Sequence, residues 1–207
     1  MVVETKTQNA MERFIAKTRD LFAEVTDPEE RWELLRPVLA ELLADPEVIE
    51  ASKSWPECNF RDGRAENLIF YEDPDYGFAI NGLTKSSTRT PGQRTLIHDH
   101  GHIYTLYGVL DGHERIERYE RIDDRSKPDY AEIRRTEDVL VGAGDIDLVR
   151  PYEVHAEVTT GEGGAAIVIR SQKAGEFNQG RYDPETNRYW ESVGPRQTPA
   201  VMLPKQA

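Results

Sequence analysis

The sequence predicts a mainly β chain, a jelly-roll barrel, with α-helices from its N-terminal part packed on the outside. Three observations predict it. Residues 8–55 carry apolar positions at helical spacing, residues 59–175 break into short alternating segments separated by turn residues, and every histidine falls within that second stretch. At 207 residues the chain reads as one domain over 1–207, large enough for a core, with helices over 8–55, a β-barrel over 59–175 and a hairpin and tail over 176–207.

The helices come first. Met11, Phe14, Ile15, Leu21, Phe22 and Val25 form an apolar stripe with charge on the opposite face. Asp27-Pro28-Glu29-Glu30 then offers an N-cap, a proline at the first helical position and acids in the first turn. Trp32, Leu35, Leu39, Leu42 and Leu43 continue that second helix, and Pro37 is expected to kink or restart it by removing an amide donor. Asp45-Pro46 opens a short third helix through Val48 and Ile49.

From Asn59 onward the texture changes. Strands are expected over 67–71, 77–84, 95–100, 103–110, 114–122, 131–139, 146–149, 155–160 and 165–171, and nine such segments suit a jelly roll. Asp73-Pro74-Asp75-Tyr76-Gly77, Thr90-Pro91-Gly92 and the run 161–164 are the turns between them. The tail holds a hairpin around Asp183 to Asn187, expected to cover an edge of the barrel.

Composition removes several classes of function. A formal charge of −12 argues against nucleic acid and anionic membrane surfaces, which need a basic face. A single cysteine, Cys58, excludes an internal disulfide and a cysteine-based zinc cluster, and reads as an inert thiol. No apolar run approaches the roughly 18 residues of a membrane span, and the first 25 residues show no secretory signal, so a cytoplasmic location is expected.

Gly92 to Gly112 carries the chemistry. His98 and His100 are two residues apart, so on an extended strand both rings leave the same face, where two imidazoles can hold one metal ion. Alternation through Ile103, Tyr104, Leu106, Tyr107, Val109 and Leu110 leads to an Asp111-Gly112 turn and a return strand. His113 stands in that turn and reads as an ordinary solvent-facing imidazole.

In these residues the chain resembles the cupins. Gly92, His98, His100 and Gly112 match the spacing of the first cupin motif, with Thr105 where a glutamate usually stands. The stretch from Gly144 through Pro151 to His155 resembles the second motif, with the proline one residue off the commonest spacing and no asparagine after the histidine. The resemblance implies a double-stranded β-helix with His98, His100 and His155 as metal ligands. With Thr105 in place of the glutamate, the protein supplies a neutral set of three imidazoles and leaves about three positions open. That set resembles the three-His thiol dioxygenases of the cysteine dioxygenase and mercaptopropionate type, which implies iron(II) (Fe2+) as cofactor, with a small anionic substrate and dioxygen as partners.

Those enzymes carry a Ser-His-Tyr set on the strand after the third ligand. The matching positions here are Val168, Arg170 and Gln172, and the cross-linking cysteine of the animal enzymes corresponds to Thr105. The resemblance puts Val168, Arg170 and Gln172 inside the barrel, so Arg170 would fork onto a substrate carboxylate; a strand-end arginine reaching solvent is the alternative. Arg170, Gln172 and Tyr107, which shares parity with Thr105, are the expected catalytic side chains. Arg170, Asn81, Arg64, Thr105 and His102 are the expected substrate contacts. Arg64 is the nearest counterpart of the family's carboxylate-binding arginine, and His102 could be re-aimed by a bulge at Gly101. The function expected is an iron(II) dioxygenase acting on a small anion. A zinc, nickel or manganese isomerase, lyase or hydrolase and a non-catalytic binding barrel are the rivals, and a homodimer is left open.

Overall fold

The computed structural model describes residues 8–61, 64–85 and 90–203. Three helices lead the chain, each started by a side chain that satisfies free amides. Asn9 and Glu12 form a reciprocal capping box on α1 (Ala10–Glu24), both bonds at 2.9 Å. Asp27 accepts from the Glu30 amide at 2.8 Å to open α2 (Pro28–Leu43), and Asp45 does the same with Glu47 at 2.9 Å for α3 (Pro46–Ser52). Pro37 does not restart α2, which runs through it as one element. Trp32 and Leu35 before the proline and Leu39, Leu42 and Leu43 after it are all buried. Five large apolar side chains at roughly 1.5–3 kcal/mol each outweigh a proline penalty of about 3 kcal/mol.

A two-residue pair, β1 (Phe60–Arg61) and β2 (Arg64–Ala65), precedes two six-stranded sheets. The nine segments expected from the sequence are β3 (Asn67–Glu72), β4 (Ala79–Lys85), β5 (Ile97–His98), β6 (Thr105–Asp111), β7 (His113–Arg121), β8 (Ile133–Gly142), β9 (Ile146–Val149), β10 (Val154–Thr159) and β11 (Gly164–Arg170). The tail adds β12 (Asn178–Asp183), β13 (Arg188–Val193) and β14 (Gln197–Pro199). One sheet has the order β13-β12-β5-β10-β7-β8 and the other β14-β3-β4-β11-β6-β9. Every pairing is antiparallel except β14 on β3. Side chains of both sheets line one cavity, so the sheets face each other as the double-stranded β-helix expected of the sequence.

Period-two alternation assigns the faces. On β11, Ala165, Ile167 and Ile169 pack with the helices, while Ala166 and Val168 pack inward with Tyr107 and Val109 of β6. Helix α2 lies against β6 and β9, and it approaches so closely at Gly108 that an added Cβ would stand 2.8 Å from Leu43. No described helix is long and apolar enough to cross a membrane.

The tail is not a loose cover. β12 inserts between β13 and β5, and Arg181 pairs with His98. β5 is also shorter than the expected 95–100, because Asp99 leaves the ladder. Its carboxylate accepts from the amides of Gly101 (2.8 Å) and Gly180 (2.9 Å) and from the Tyr182 hydroxyl (2.6 Å). The pinned turn needs φ +58° at Gly101, where a side chain would meet the Asn178 carbonyl at 2.6 Å.

Candidate metal centre

His98 stands on β5 opposite His155 of β10, and His100 follows two residues later in the turn held by Asp99. The three rings come together with centroids 4.4 to 5.1 Å apart. All three are buried, and one nitrogen from each lies within 4.8 Å of the others. The opposite nitrogens are engaged elsewhere. Nδ1 of His98 donates to the Leu96 carbonyl at 2.9 Å, and Nδ1 of His155 to the Glu153 carbonyl at 3.2 Å. Nδ1 of His100 meets the Thr105 hydroxyl at 2.9 Å. A carbonyl can only accept, so the proton of His98 and of His155 sits on Nδ1 and the Nε2 lone pair is left for a metal.

Electrostatics favour the neutral state for His98 and His100. Burial, helped by the charge of His155, pushes His98 down to about 3 and His100 well below its ordinary value. Both are therefore neutral at physiological pH, as ligand imidazoles must be. Burial alone would lower His155 too, but a hydrogen bond and the charge of Glu157 raise it. The donor set fits a divalent transition metal: three preoriented imidazole nitrogens in a water-poor site, each ring fixed from behind.

Glu157 changes the expected charge of the site. It lies two residues after His155 and so shares its face, with a carboxylate oxygen 3.7 Å from His155 Nε2. The Thr95 hydroxyl donates to it at 2.7 Å. Burial would raise its pKa, but the neighbouring imidazoles of His98 and His155 and the hydrogen bond from Thr95 hold it well below the usual range, so it is ionised. The cavity is therefore not lined by neutral imidazoles alone.

The histidines open into a cavity of about 70 Å³, which at roughly 10–15 Å³ per water has room for several water-sized groups. Arg170 lines it. Its two terminal nitrogens donate to Asn81 (2.9 Å) and Asn67 (2.8 Å), while its Nε is buried without a partner. Burial lowers the guanidinium to about 10, so it stays charged at neutral pH. Asn81 is fully buried and lies behind Arg170 instead of lining the cavity, its amide donating to the Leu68 carbonyl at 3.0 Å. Arg64, Thr105 and Tyr107 all line the cavity. The Tyr107 hydroxyl donates to Glu114 at 2.7 Å and accepts from Lys85 at 2.6 Å, and Lys85 and Glu114 form a buried ion pair.

Three expected site residues, Asn81, Gln172 and His102, do not line the cavity. Gln172 lies beyond the end of β11, where alternation no longer fixes its direction, and it contacts the exposed His102 at 3.0 Å outside the cavity. His113 is exposed and contacts Glu162 at 3.1 Å. Sequence reasoning passed over Asn67, Glu157, Gln179 and Arg181. Two-residue spacing from His155 could have flagged Glu157. Nothing local could have flagged Gln179 and Arg181, which reach the cavity only because β12 pairs with β5.

No protein-family model matches the chain, and comparison with curated protein sequences gives no match. Solved structures do match. The Schizosaccharomyces pombe Cnp3 cupin domain is 8% identical over 56% of this chain and 69% of its own, at a TM-score of 0.39. A hydroquinone 1,2-dioxygenase, PnpCD, solved with Cd2+ and 4-hydroxybenzonitrile, is 12% identical over 62% of this chain and 72% of its own, at 0.41. A cupin-2 domain protein from Shewanella frigidimarina is 14% identical over 53% and 82%, at 0.35.

Proposed function

We propose that this chain is a mononuclear non-haem iron(II) dioxygenase of the thiol dioxygenase type, acting on a small anionic substrate. The observation that carries the proposal is the pairing of two features in one cavity. Three imidazoles are preoriented through Nδ1, and beside them stands a buried guanidinium held by amide oxygens and by no acid. His98, His100 and His155 would hold the metal, which when bound lets a singlet organic substrate react with triplet dioxygen.

The chain's own residues bind, orient and exclude water. Arg170 takes the substrate carboxylate, and Asn67 and Asn81 fix the plane of its guanidinium so that the orientation is set before binding. Val168 and Leu83 supply apolar wall. The Tyr107 hydroxyl accepts from Lys85 and gives its one proton to Glu114, which locks the ring in the cavity wall.

The test is oxygen consumption by protein reconstituted anaerobically with iron(II) or zinc(II) and given a panel of small thiol acids. Uptake with iron only, and a KM raised roughly tenfold by Arg170→Lys because a point charge cannot replace the fork, is the expected result. Equal turnover with zinc and no oxygen uptake would instead favour an isomerase, lyase or hydrolase. Glu157 favours that second reading, because a buried ionised carboxylate 3.7 Å from a ligand imidazole adds an anionic oxygen to the three nitrogens, a donor set that suits metals other than iron as well.

A further inference from the structure

We propose that the cavity is built for a substrate with two anionic groups, a small dicarboxylic acid or its thiol derivative, the first group held by Arg170 and the second by Arg64 and Arg181 together. This rests on the reading of the cavity as an anion site and specifies which anions it takes.

Three guanidiniums line one small cavity. The chain is strongly acidic, and other part-buried guanidiniums pair with carboxylates: Arg118 with Asp147 and Glu153, Arg121 with Asp123, Arg150 with Glu29 and Glu33. Among the described residues, Arg64, Arg170 and Arg181 form no such pair. The charge of Glu157 reaches both Arg170 and Arg181, and that of Asp99 reaches Arg181, but neither carboxylate forms an ion pair with a guanidinium of the cavity among the described residues. Guanidinium heads buried without a direct carboxylate partner are costly unless a ligand completes their hydrogen bonds.

The guanidiniums stand on two walls. Arg170 comes from β11, and its charge acts on His100. Arg181 comes from β12 in the opposite sheet, and its charge acts on His98. Its Nε donates to Ser192 at 3.2 Å and its Nη2 to Gln179 at 2.7 Å, which fixes the head at the cavity. Arg64 stands close enough to lower the pKa of Arg181, whereas Arg170 is shifted by neither. Two like charges held together, one of them with its Nε buried and unpartnered, are what an anion between them relieves. Arg64 also lines an outer cleft with Lys173, Arg196 and Gln197, so the second group sits at the mouth of the cavity.

Isothermal titration of the purified full chain with succinate and glutarate against propionate and butyrate tests this. The diacids should bind at least ten times more tightly than the monoacids, and Arg64→Gln should bring the two classes within about twofold. Arg181→Gln should do the same; if it fails to fold, Arg64, half-buried in a two-residue strand, still decides the question. Equal affinity for mono- and diacids in the native chain, or a preference that survives Arg64→Gln, overturns the proposal. These probes carry nothing to oxidise. A chain that prefers diacids yet consumes no oxygen with any thiol refutes the dioxygenase reading and supports this one, and oxygenation of monoacid thiols without a diacid preference does the reverse.

Discussion

Thr105→Val isolates the orienting role of one hydroxyl. Thr105 is buried on β6, and its Oγ1 stands 2.9 Å from Nδ1 of His100. Valine keeps the branched shape and removes the acceptor. With a metal on Nε2, the imidazole must carry its proton on Nδ1, which in the variant is buried and unpaired at a cost of about 1–3 kcal/mol. Without metal the ring can take the other tautomer and point its proton at His98 Nε2, 3.2 Å away. The cost therefore falls on the metal-bound state alone. At 1.4 kcal/mol per decade it amounts to a loss of roughly 10–100-fold in metal affinity, the range typical of partners that orient ligand histidines. Zinc affinity is read by competition with a chelating dye, and thermal melting of the metal-free chain should shift little. Thr105→Ser should restore most of the affinity. A valine variant that binds zinc within threefold of the native chain would refute the argument that Thr105 orients His100.

Two further outcomes are expected. His155→Ala should reduce bound metal from stoichiometric to trace in elemental analysis, and full retention would show that another group is the third ligand. Asp73 accepts from the amides of Asp75 (3.0 Å) and Tyr76 (2.8 Å), the Tyr71 hydroxyl (3.0 Å) and Arg19 (3.0 Å). Burial opposes its ionisation, but these donors hold its pKa below the usual 3.8. A depressed carboxylate stabilises the fold above its unfolded pKa, and the contribution disappears as pH falls through the folded value. Asp73→Asn, whose amide nitrogen cannot accept from Tyr71 and Arg19, should thus lose about 1–3 kcal/mol in urea unfolding at pH 7. The difference from the native chain should shrink below pH 3.8, and a difference unchanged by pH would show that the charge is not what matters.

Much of the fold was legible because its signals are local. Alternation placed β3 to β11 within a few residues, since a strand buried on one face must repeat every second position. Asp-Pro pairs marked the starts of α2 and α3, because a cap and a prolyl N1 act within one turn. Pro37 left the course of α2 open for the opposite reason: its cost is local, whereas the burial that keeps the helix in one piece comes from a sheet remote in sequence. Gln172 misled because parity holds only inside a ladder, and β11 ends at Arg170.

By itself the sequence determined that His98, His100 and His155 belong to the β-domain, two of them on strands and His100 just past the end of β5, and that Thr105, Tyr107 and Arg170 share a parity on theirs. Only the tertiary structure decided what those side chains meet. β12 slides between β13 and β5 and brings Arg181 beside His98, while Asn67 and Asn81 lock Arg170 from behind. Alternation is a property of neighbouring residues, whereas the charge of a cavity is a sum over strands that only long-range pairing brings together.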